Sequence, residues 1–272
     1  MEVAVITKED IEKYIQKIPP APKAVQKTIQ AINQGDLIKA AKEAKEDLAF
    51  SAYLKELVNK PIYGFRTEVK DTGQIFGILG LSQSQQVVYN YLLNILSPDE
   101  WKFFKLNKKT FNDLQDHLSL SWNKILEHLS IKDKEIESSI TLLPASIIVC
   151  EALFNEKKEE VELIRSAKDL DLNTILKRLS GYTLFDISAM IAKKWEMDPK
   201  IIAIVRASSG IEKVENQEIE NLAKWMHLLL FYTLSQPQYI EAGLNDFIEF
   251  KVEFVDDIYV EFMEVIEIGA NE

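Results

Sequence analysis

Apolar residues recur at helical spacing along most of this chain, in segments that begin and end at capping residues, prolines or glycines. In the first segment, Thr7 and Asp10 have the spacing of a capping box, and Ile11 and Ile15 begin an apolar stripe. Residues 219–230 repeat the pattern with a longer stripe. A strand would need a two-residue period, so this pattern predicts an all-α chain.

The other predicted helices start at short polar residues and stop at glycine or proline. The expected N-caps are Asp36, Asp47, Ser82, Ser97 before Pro98, Thr183 with Asp186, and Asp198 before Pro199. Gly64 and Gly80 follow Tyr63 and Leu79, and we expect both glycines to take a positive φ that turns the chain. Valine at either glycine would then cost about 1–3 kcal/mol of stability.

Residues 244–268 are compatible with two structures. Phe250, Val252 and Phe254 alternate as in a strand, which would make a hairpin. Helical spacing holds over a longer window, at Val255, Ile258, Tyr259, Phe262 and Ile266. We predict helix, because the preceding chain is helical and an isolated hairpin is marginally stable.

Net charge, cysteine content and apolar runs limit the kinds of partner and the cellular compartment that are expected. The 272 residues carry a formal net charge of −11, which argues against a nucleic-acid backbone or an anionic membrane as the main partner. Cys150 is the only cysteine and lies in an apolar run, so we expect a buried thiol and no intrachain disulfide. The first residues lack the features of a signal peptide, and the apolar run 142–154 is too short to span a bilayer. We therefore expect a cytoplasmic protein.

The stretch from Ile18 to Leu81 combines a proline-marked entry, amphipathic helices, an Asn59-x-x-x-Tyr63-Gly64 loop and a short helix ending at Leu79-Gly80. This order resembles the HDOD domain, a helical module of bacterial signalling proteins related to the HD phosphohydrolases. The resemblance implies a multi-helix HDOD-type bundle with an HD-like second lobe. We place the lobes at residues 1–97 and 98–272, and we expect one continuous body because no glycine- or serine-rich linker separates them.

HD phosphohydrolases chelate metal through a His-Asp pair and further histidines. The segment LLPASI at 142–147 resembles the family's LLHDIG position, with Pro144 and Ala145 where the pair would stand. Residues 181–209 are similar to the later part of the pattern, but Leu184 replaces a histidine, Ser188 replaces a glycine, and the closing histidines are missing from 206–209. The resemblance therefore implies a helical framework without its metal, catalytic or cofactor-binding residues.

The chain has three histidines, which are His117, His128 and His227. Asp116 and His117 are adjacent, but the polar residues on both sides differ from the buried apolar run that an HD pair requires. A hydrolytic metal site needs several ligands converging on the ion. We therefore predict structural roles for all three histidines.

The predicted function is a non-enzymatic scaffold in bacterial signalling that binds another signalling protein without a cofactor. The family association extends to motility and cyclic-dinucleotide signalling. Two alternatives stay open at this point. The protein could be a degenerate phosphohydrolase that binds a nucleotide or cyclic dinucleotide without turnover, or a metal-dependent phosphohydrolase with unrecognised ligands.

The loop from Asn59 to Arg66 is the candidate partner-binding surface. An aromatic side chain beside an arginine, on a loop held by a rigid scaffold, is typical of an interaction hot spot. For Tyr63 the favoured interpretation is that it fills the core between the lobes, whereas Phe65 is harder to bury beside Gly64. The candidate residues are Asn59, Tyr63, Phe65 and Arg66.

Overall fold

The computed structural model describes residues 6–61, 67–168, 170–211 and 214–268. These residues form helices and contain no strand, which confirms the predicted all-α class. The first helices are α1 (Lys8–Lys17), α2 (Lys23–Asn33), α3 (Leu37–Lys45), α4 (Leu48–Val58) and α5 (Thr72–Leu96). Then come α6 (Lys108–His128), α7 (Lys134–Ser139), a 3-10 turn (Ile140–Leu142), α8 (Ala145–Glu156), α9 (Lys158–Lys168), α10 (Leu172–Ser180) and α11 (Leu184–Lys194). The last are α12 (Pro199–Ala207), α13 (Gln217–Leu234), α14 (Pro237–Glu241), α15 (Val252–Val255) and α16 (Tyr259–Ile268).

The predicted helix starts are formed by local hydrogen bonds. Thr7 and Asp10 make a complete capping box at α1, and Thr183 and Asp186 repeat it at α11. Aspartate side chains accept backbone N–H groups at three further starts, which are Asp36, Asp47 and Asp198. The sequence signals for these five helices are therefore confirmed.

α5 contains the break that the sequence predicts at Gly80. Its φ of 69° and ψ of −173° interrupt the helical conformation. A second helical stretch follows the break, as predicted, but it begins before the predicted cap, since Ser82 already lies within it and its hydroxyl hydrogen-bonds Glu137. Gly64 lies outside the described residues.

The predicted helix start at Ser97-Pro98 is also wrong. Ser97 ends α5, residues 98–107 are irregular, and the next helix begins after an Asn107 cap. A buried carboxylate on α8 holds this segment in place. Glu151 accepts the backbone N–H groups of residues 102, 103 and 104 at 2.5–3.2 Å. These long-range bonds satisfy backbone donors that a helix would have used internally.

Helix α5 lies at the centre of the first half, in contact with α2, α3 and α4, and it also packs against α6 and α7. In the second half, α8 packs on α11, α11 on α12, and α12 on α13. α1 packs against α8, α10 and α11, so it crosses to the second half, where Tyr182 donates a hydrogen bond to Glu12 at 2.7 Å. Buried side chains from both halves form one contiguous core.

One stretch, Lys134–Glu156, has the length and apolarity of a membrane span. It comprises α7, the 3-10 turn and α8, and 83% of its apolar window is buried inside the protein. This stretch is therefore part of the core. Cys150 lies within it, and burial raises the pKa of its thiol, as expected for a small buried hydrophobe.

The C-terminal segment is helical, as predicted, after an irregular stretch that precedes α15. α16 packs along α6, where Glu261 lies 2.7 Å from His128. Trp225 of α13 lies between these elements, with its ring 5.9 Å from His128 and 6.0 Å from Phe262. α6 is thus covered by C-terminal helices.

Candidate functional site

The segment that resembles the His-Asp position lies at the junction between the 3-10 turn and α8. Pro144 is the N-cap of α8, and Ala145 is fully buried. α11 packs against this junction, with the Ser188 hydroxyl 3.4 Å from the Leu143 carbonyl oxygen, to which it donates. Leu184, at the start of α11, is also buried. The side chains of proline, alanine and leucine offer no metal ligand.

Within the described part of the chain, no group of three or more His, Cys, Asp or Glu residues is placed to hold a metal ion. The residues that the sequence resemblance places at the ligand positions, Pro144, Ala145 and Leu184, therefore do not fit the metal of an HD phosphohydrolase. Hydrolysis by such an ion requires a polarised water on a fixed coordination site.

The three histidines lie apart in different environments. His117 is half-buried on α6, and burial lowers its pKa. His128 is exposed at the C-terminal end of the same helix, beside Glu261. His227 is buried on α13, and burial lowers its pKa to about 4. Structural roles for the three histidines stay a prediction.

Asp116, the acidic residue of the adjacent Asp116–His117 pair, connects α6 to a residue that follows the end of α4. Lys60 lies two residues beyond α4, and its ammonium group is 2.5 Å from the Asp116 carboxylate. The Asp116 side chain is only 12% exposed. Burial is the largest influence on its pKa, which is raised despite the opposing effect of Lys60.

Of the predicted partner-binding residues, Tyr63, Phe65 and Arg66 lie outside the described residues. Asn59 is described and closes the two ends of the loop. Its Oδ1 accepts the Val69 N–H at 2.8 Å, and its Nδ2 donates to the Val69 carbonyl at 3.0 Å. The Nδ2 also donates to the Lys55 carbonyl at 2.8 Å. The Asn59 amide is thus engaged within the chain, where it positions the loop.

A polar cavity of about 210 Å³ lies between α5 and α6. Its polar lining residues are Gln83, Gln86, Asn90, Asp116, Ser119 and Asn123. On each helix these residues follow helical spacing and share one face. Gln86 and Asn123 exchange amide hydrogen bonds of 2.9 and 3.3 Å across the two helices.

The sequence analysis did not identify this polar cavity. A signal existed in residues 83–90, where three glutamines and Asn90 accompany an apolar stripe on the same helix. Amides on a helix that is buried on most sides need partners, and this requirement indicates a polar contact with another element. The amide-rich pattern of residues 83–90 does not indicate which element supplies the partner, and the structure shows that it is α6.

A second, wider cleft of about 880 Å³ lies between α10, the end of α12 and residues 249–254. We call it the C-terminal cleft. The charged residues among its described lining are Lys177, Arg178, Lys251, Glu249 and Glu253. Its volume is within the range of small-molecule sites.

The sequence matches the family model of the HDOD domain over residues 18–211, which is more than half of the chain. Among curated proteins, no sequence matches it. The C-terminal helices α13 to α16 lie beyond the matched range.

Several solved structures share the fold. An HDOD domain protein with unknown function from Geobacter sulfurreducens has a TM-score of 0.65 and 14% identity, over 95% of this chain and 94% of that chain. A candidate phosphohydrolase from Shewanella amazonensis SB2B has a TM-score of 0.63 and 17% identity, over 94% and 96%. A candidate signal transduction protein from Marinobacter aquaeolei VT8 has a TM-score of 0.63 and 14% identity, over 98% of this chain and 65% of that chain.

Proposed function

Since this chain belongs to the HDOD domain family, we propose that it is a non-catalytic scaffold of bacterial signal transduction that acts by binding another signalling protein. One observation carries the proposal. Pro144, Ala145 and Leu184, which the resemblance places at the family's ligand positions, lie in a packed apolar junction. A framework that keeps its helices but fills the metal position with apolar side chains suits recognition better than hydrolysis.

Further support comes from a structural neighbour named for signal transduction and from the all-α scaffold of the described residues, which suits the presentation of a binding loop. We also propose a cytoplasmic location, which is supported by the burial in the core of the membrane-length apolar stretch that the described residues contain. Motility and cyclic-dinucleotide signalling are the pathways that we would examine first.

The proposal is tested by combining a hydrolysis assay with capture from the protein's own cells. We expect no cleavage of cyclic dinucleotides after loading with Mn²⁺, Fe²⁺ or Zn²⁺, and enrichment of a specific signalling protein. Phe65→Ala and Arg66→Ala should weaken this capture and leave the melting temperature nearly unchanged, because a hot-spot side chain contributes to binding and little to folding.

Leu163→Ala is the matched control, because it truncates an exposed apolar side chain on α9. It should affect neither capture nor melting. Metal-dependent turnover of a cyclic dinucleotide would refute the non-catalytic assignment. If both loop variants still capture the partner, the binding surface lies outside residues 59–66.

A second candidate is nucleotide binding without turnover, which the C-terminal cleft favours. Lys177 and Arg178 could neutralise phosphates in a cleft of suitable volume, whereas Lys251 already pairs with Glu249. Calorimetric titration with a panel of nucleotides and cyclic dinucleotides distinguishes the candidates, since a scaffold that acts only on proteins would bind none of them.

A further inference from the structure

The negative charge of the chain is confined to its last segment. Residues 212–272 contain 14 acidic and 3 basic residues, which give a formal net charge of −11. Residues 1–211 contain 29 acidic and 29 basic residues and are therefore neutral. The family match ends at residue 211. The segment that follows the matched domain thus carries the whole net charge of the protein.

Helices α15 and α16 present part of this charge to solvent. Their buried side packs into the core through Val255, Ile258, Phe262 and Ile266. The opposite side repeats this spacing of three and four residues, and its exposed members are Glu253, Asp256, Val260 and Glu264. Val252 and Tyr259 lie at its edge and are also exposed. We call these six exposed residues the C-terminal acidic face.

The carboxylates of this face differ from their neighbours. Asp257 pairs with Lys224 at 2.6 Å, and Glu261 pairs with His128 at 2.7 Å. Within the described part of the chain, the three carboxylates of the C-terminal acidic face form no salt bridge and no side-chain hydrogen bond. Like charges three or four residues apart destabilise a helix. Folding alone therefore does not favour this arrangement, whereas a cationic partner would offset the repulsion.

Apolar side chains lie among these carboxylates. Val260 is 70% exposed, Val252 is 58% exposed and Tyr259 is 44% exposed. The ring of Phe250 lies 6.0 Å from that of Tyr259 and continues the apolar surface toward the C-terminal cleft. Single exposed apolar residues are common, but a group of them within a polar rim is typical of a contact surface.

We propose that the C-terminal acidic face docks a basic segment of a protein partner, whose cationic side chains pair with the three free carboxylates and whose apolar side chains cover Val260 and Tyr259. Charge complementarity identifies the partner as basic, and the concentrated charge would steer it to this end of the molecule. This inference rests on the proposed scaffold function and specifies the chemistry of the partner.

Two other occupants fit the face less well. A second copy of the chain would bring the same net charge of −11 toward it, and like charges repel. A metal ion needs converging ligands, and no group of three or more His, Cys, Asp or Glu in the described residues is placed to hold one. Neither occupant would use both the carboxylates and the apolar side chains.

The test uses the full chain and a fluorescent amphipathic peptide of lysine and leucine as the probe. Binding is followed by fluorescence anisotropy. We expect a Kd on the order of 0.1 mM, as for a small exposed surface, which weakens as salt screens the charges. A peptide of equal charge with serine in place of leucine should bind about five-fold more weakly, since it lacks the apolar contact. A peptide with glutamate in place of lysine should not bind.

The acidic-face variant combines Glu253→Gln, Asp256→Asn and Glu264→Gln. Its control combines Glu46→Gln, Glu56→Gln and Asp99→Asn, which are exposed carboxylates of the neutral part of the chain. The two variants have the same net charge, so any difference between them reports on the face. The first should bind the probe about ten-fold more weakly than the parent protein, and the control within about two-fold.

The apolar part of the face is tested separately. Val260→Ser should weaken probe binding about five-fold, because it removes the exposed apolar side chain that the leucines would cover. Leu48→Ser is the matched control, since Leu48 is also a highly exposed apolar residue, on α4, and it should leave the Kd unchanged. All these substitutions lie at exposed positions, so thermal unfolding should show folded variants.

Equal weakening in the acidic-face variant and its control would overturn the inference, because binding would then follow net charge alone. A parent protein that is dimeric by analytical ultracentrifugation and becomes monomeric in Val260→Ser would overturn it as well, since a second copy would cover the face. The scaffold function fails separately. Capture of a partner from cells with equal yield by the parent and the acidic-face variant would leave the scaffold function standing without this surface, whereas metal-dependent hydrolysis would refute the scaffold function without affecting probe binding.

Discussion

At the scale of single residues, His227 connects three parts of the second half. Its Nδ1 lies 2.9 Å from the Ser208 carbonyl oxygen, and its Nε2 lies 3.3 Å from the Lys251 backbone nitrogen. A carbonyl can only accept and a backbone N–H can only donate, so the imidazole is neutral with its proton on Nδ1. The rings of Phe185 and Phe254 flank it at 6.3 and 5.8 Å.

The buried imidazole should make stability depend on pH. Burial lowers the pKa of His227 from 6.5 to about 4. Between these values the unfolded chain takes up a proton that the folded chain does not, so stability is full above about pH 6.5 and falls as pH approaches 4. The loss should be about 3 kcal/mol, measured by urea unfolding at several pH values. His117, whose pKa burial also lowers, should add to the loss in the same direction.

His227→Gln should flatten this dependence, because glutamine retains a donor and an acceptor but does not titrate. Subtracting the pH dependence of the variant's unfolding free energy from that of the parent removes the contribution of the carboxylates, which titrate in both proteins. His128→Gln serves as the control, since it deletes an exposed imidazole and should leave the His227 contribution intact. If the unfolding free energy of His227→Gln depends on pH as steeply as that of the parent protein, another group causes the loss of stability at low pH.

At the scale of elements, the break in α5 depends on Gly80. Its φ of 69° and ψ of −173° lie in a region that is essentially restricted to glycine. An added Cβ would meet no atom within 4 Å, so any cost of substitution comes from the backbone alone. Gly80→Ala should therefore reduce stability by about 1–3 kcal/mol, and Gly80→Val should do the same, as measured by thermal or urea unfolding.

Gly77 provides the matched control in the same helix. It has a helical backbone, it is exposed, and an added Cβ there also meets nothing within 4 Å. Gly77→Ala should stabilise the protein by about 0.4–1 kcal/mol, because alanine restricts the unfolded chain and favours the helix. Equal effects of the two alanine substitutions would show that the break does not require glycine.

At the scale of the whole molecule, the family match ends at residue 211, yet the following helices complete the core. α13 packs against α6 and α12, and α16 packs against α6. The side chains that Trp225, Met226 and Phe262 contribute are buried. A chain truncated after residue 211 would expose the apolar faces that these helices cover.

We therefore expect the truncated chain to lose cooperative unfolding, with a urea m-value well below the value expected for a folded chain of its length. A second truncation, after residue 251, keeps α13 and α14 and removes α15 and α16, and it should retain a cooperative transition at a lower midpoint. An m-value in proportion to its length and an unchanged midpoint for the chain truncated after residue 211 would show that residues 1–211 fold independently.

The sequence alone predicted the class and most helix starts, because these depend on neighbours within a few residues. The capping boxes at Thr7 and Thr183 and the break at Gly80 formed where the local pattern placed them. The helical C-terminus followed from the same three- to four-residue spacing. The incorrect starts, at Ser82 and Ser97, carried equally good local signals.

Tertiary structure decided the features in which distant groups meet. Glu151 binds backbone N–H groups nearly fifty residues earlier and so replaces the helix expected after Ser97. Lys60 reaches Asp116, and α5 and α6 enclose the polar cavity, through pairings that no local period encodes. A buried carboxylate or amide needs a hydrogen-bond partner. Its contribution to the free energy of folding depends on which element the packing brings within reach. For that reason the sequence determined where helices form, and the fold determined which of their polar groups meet.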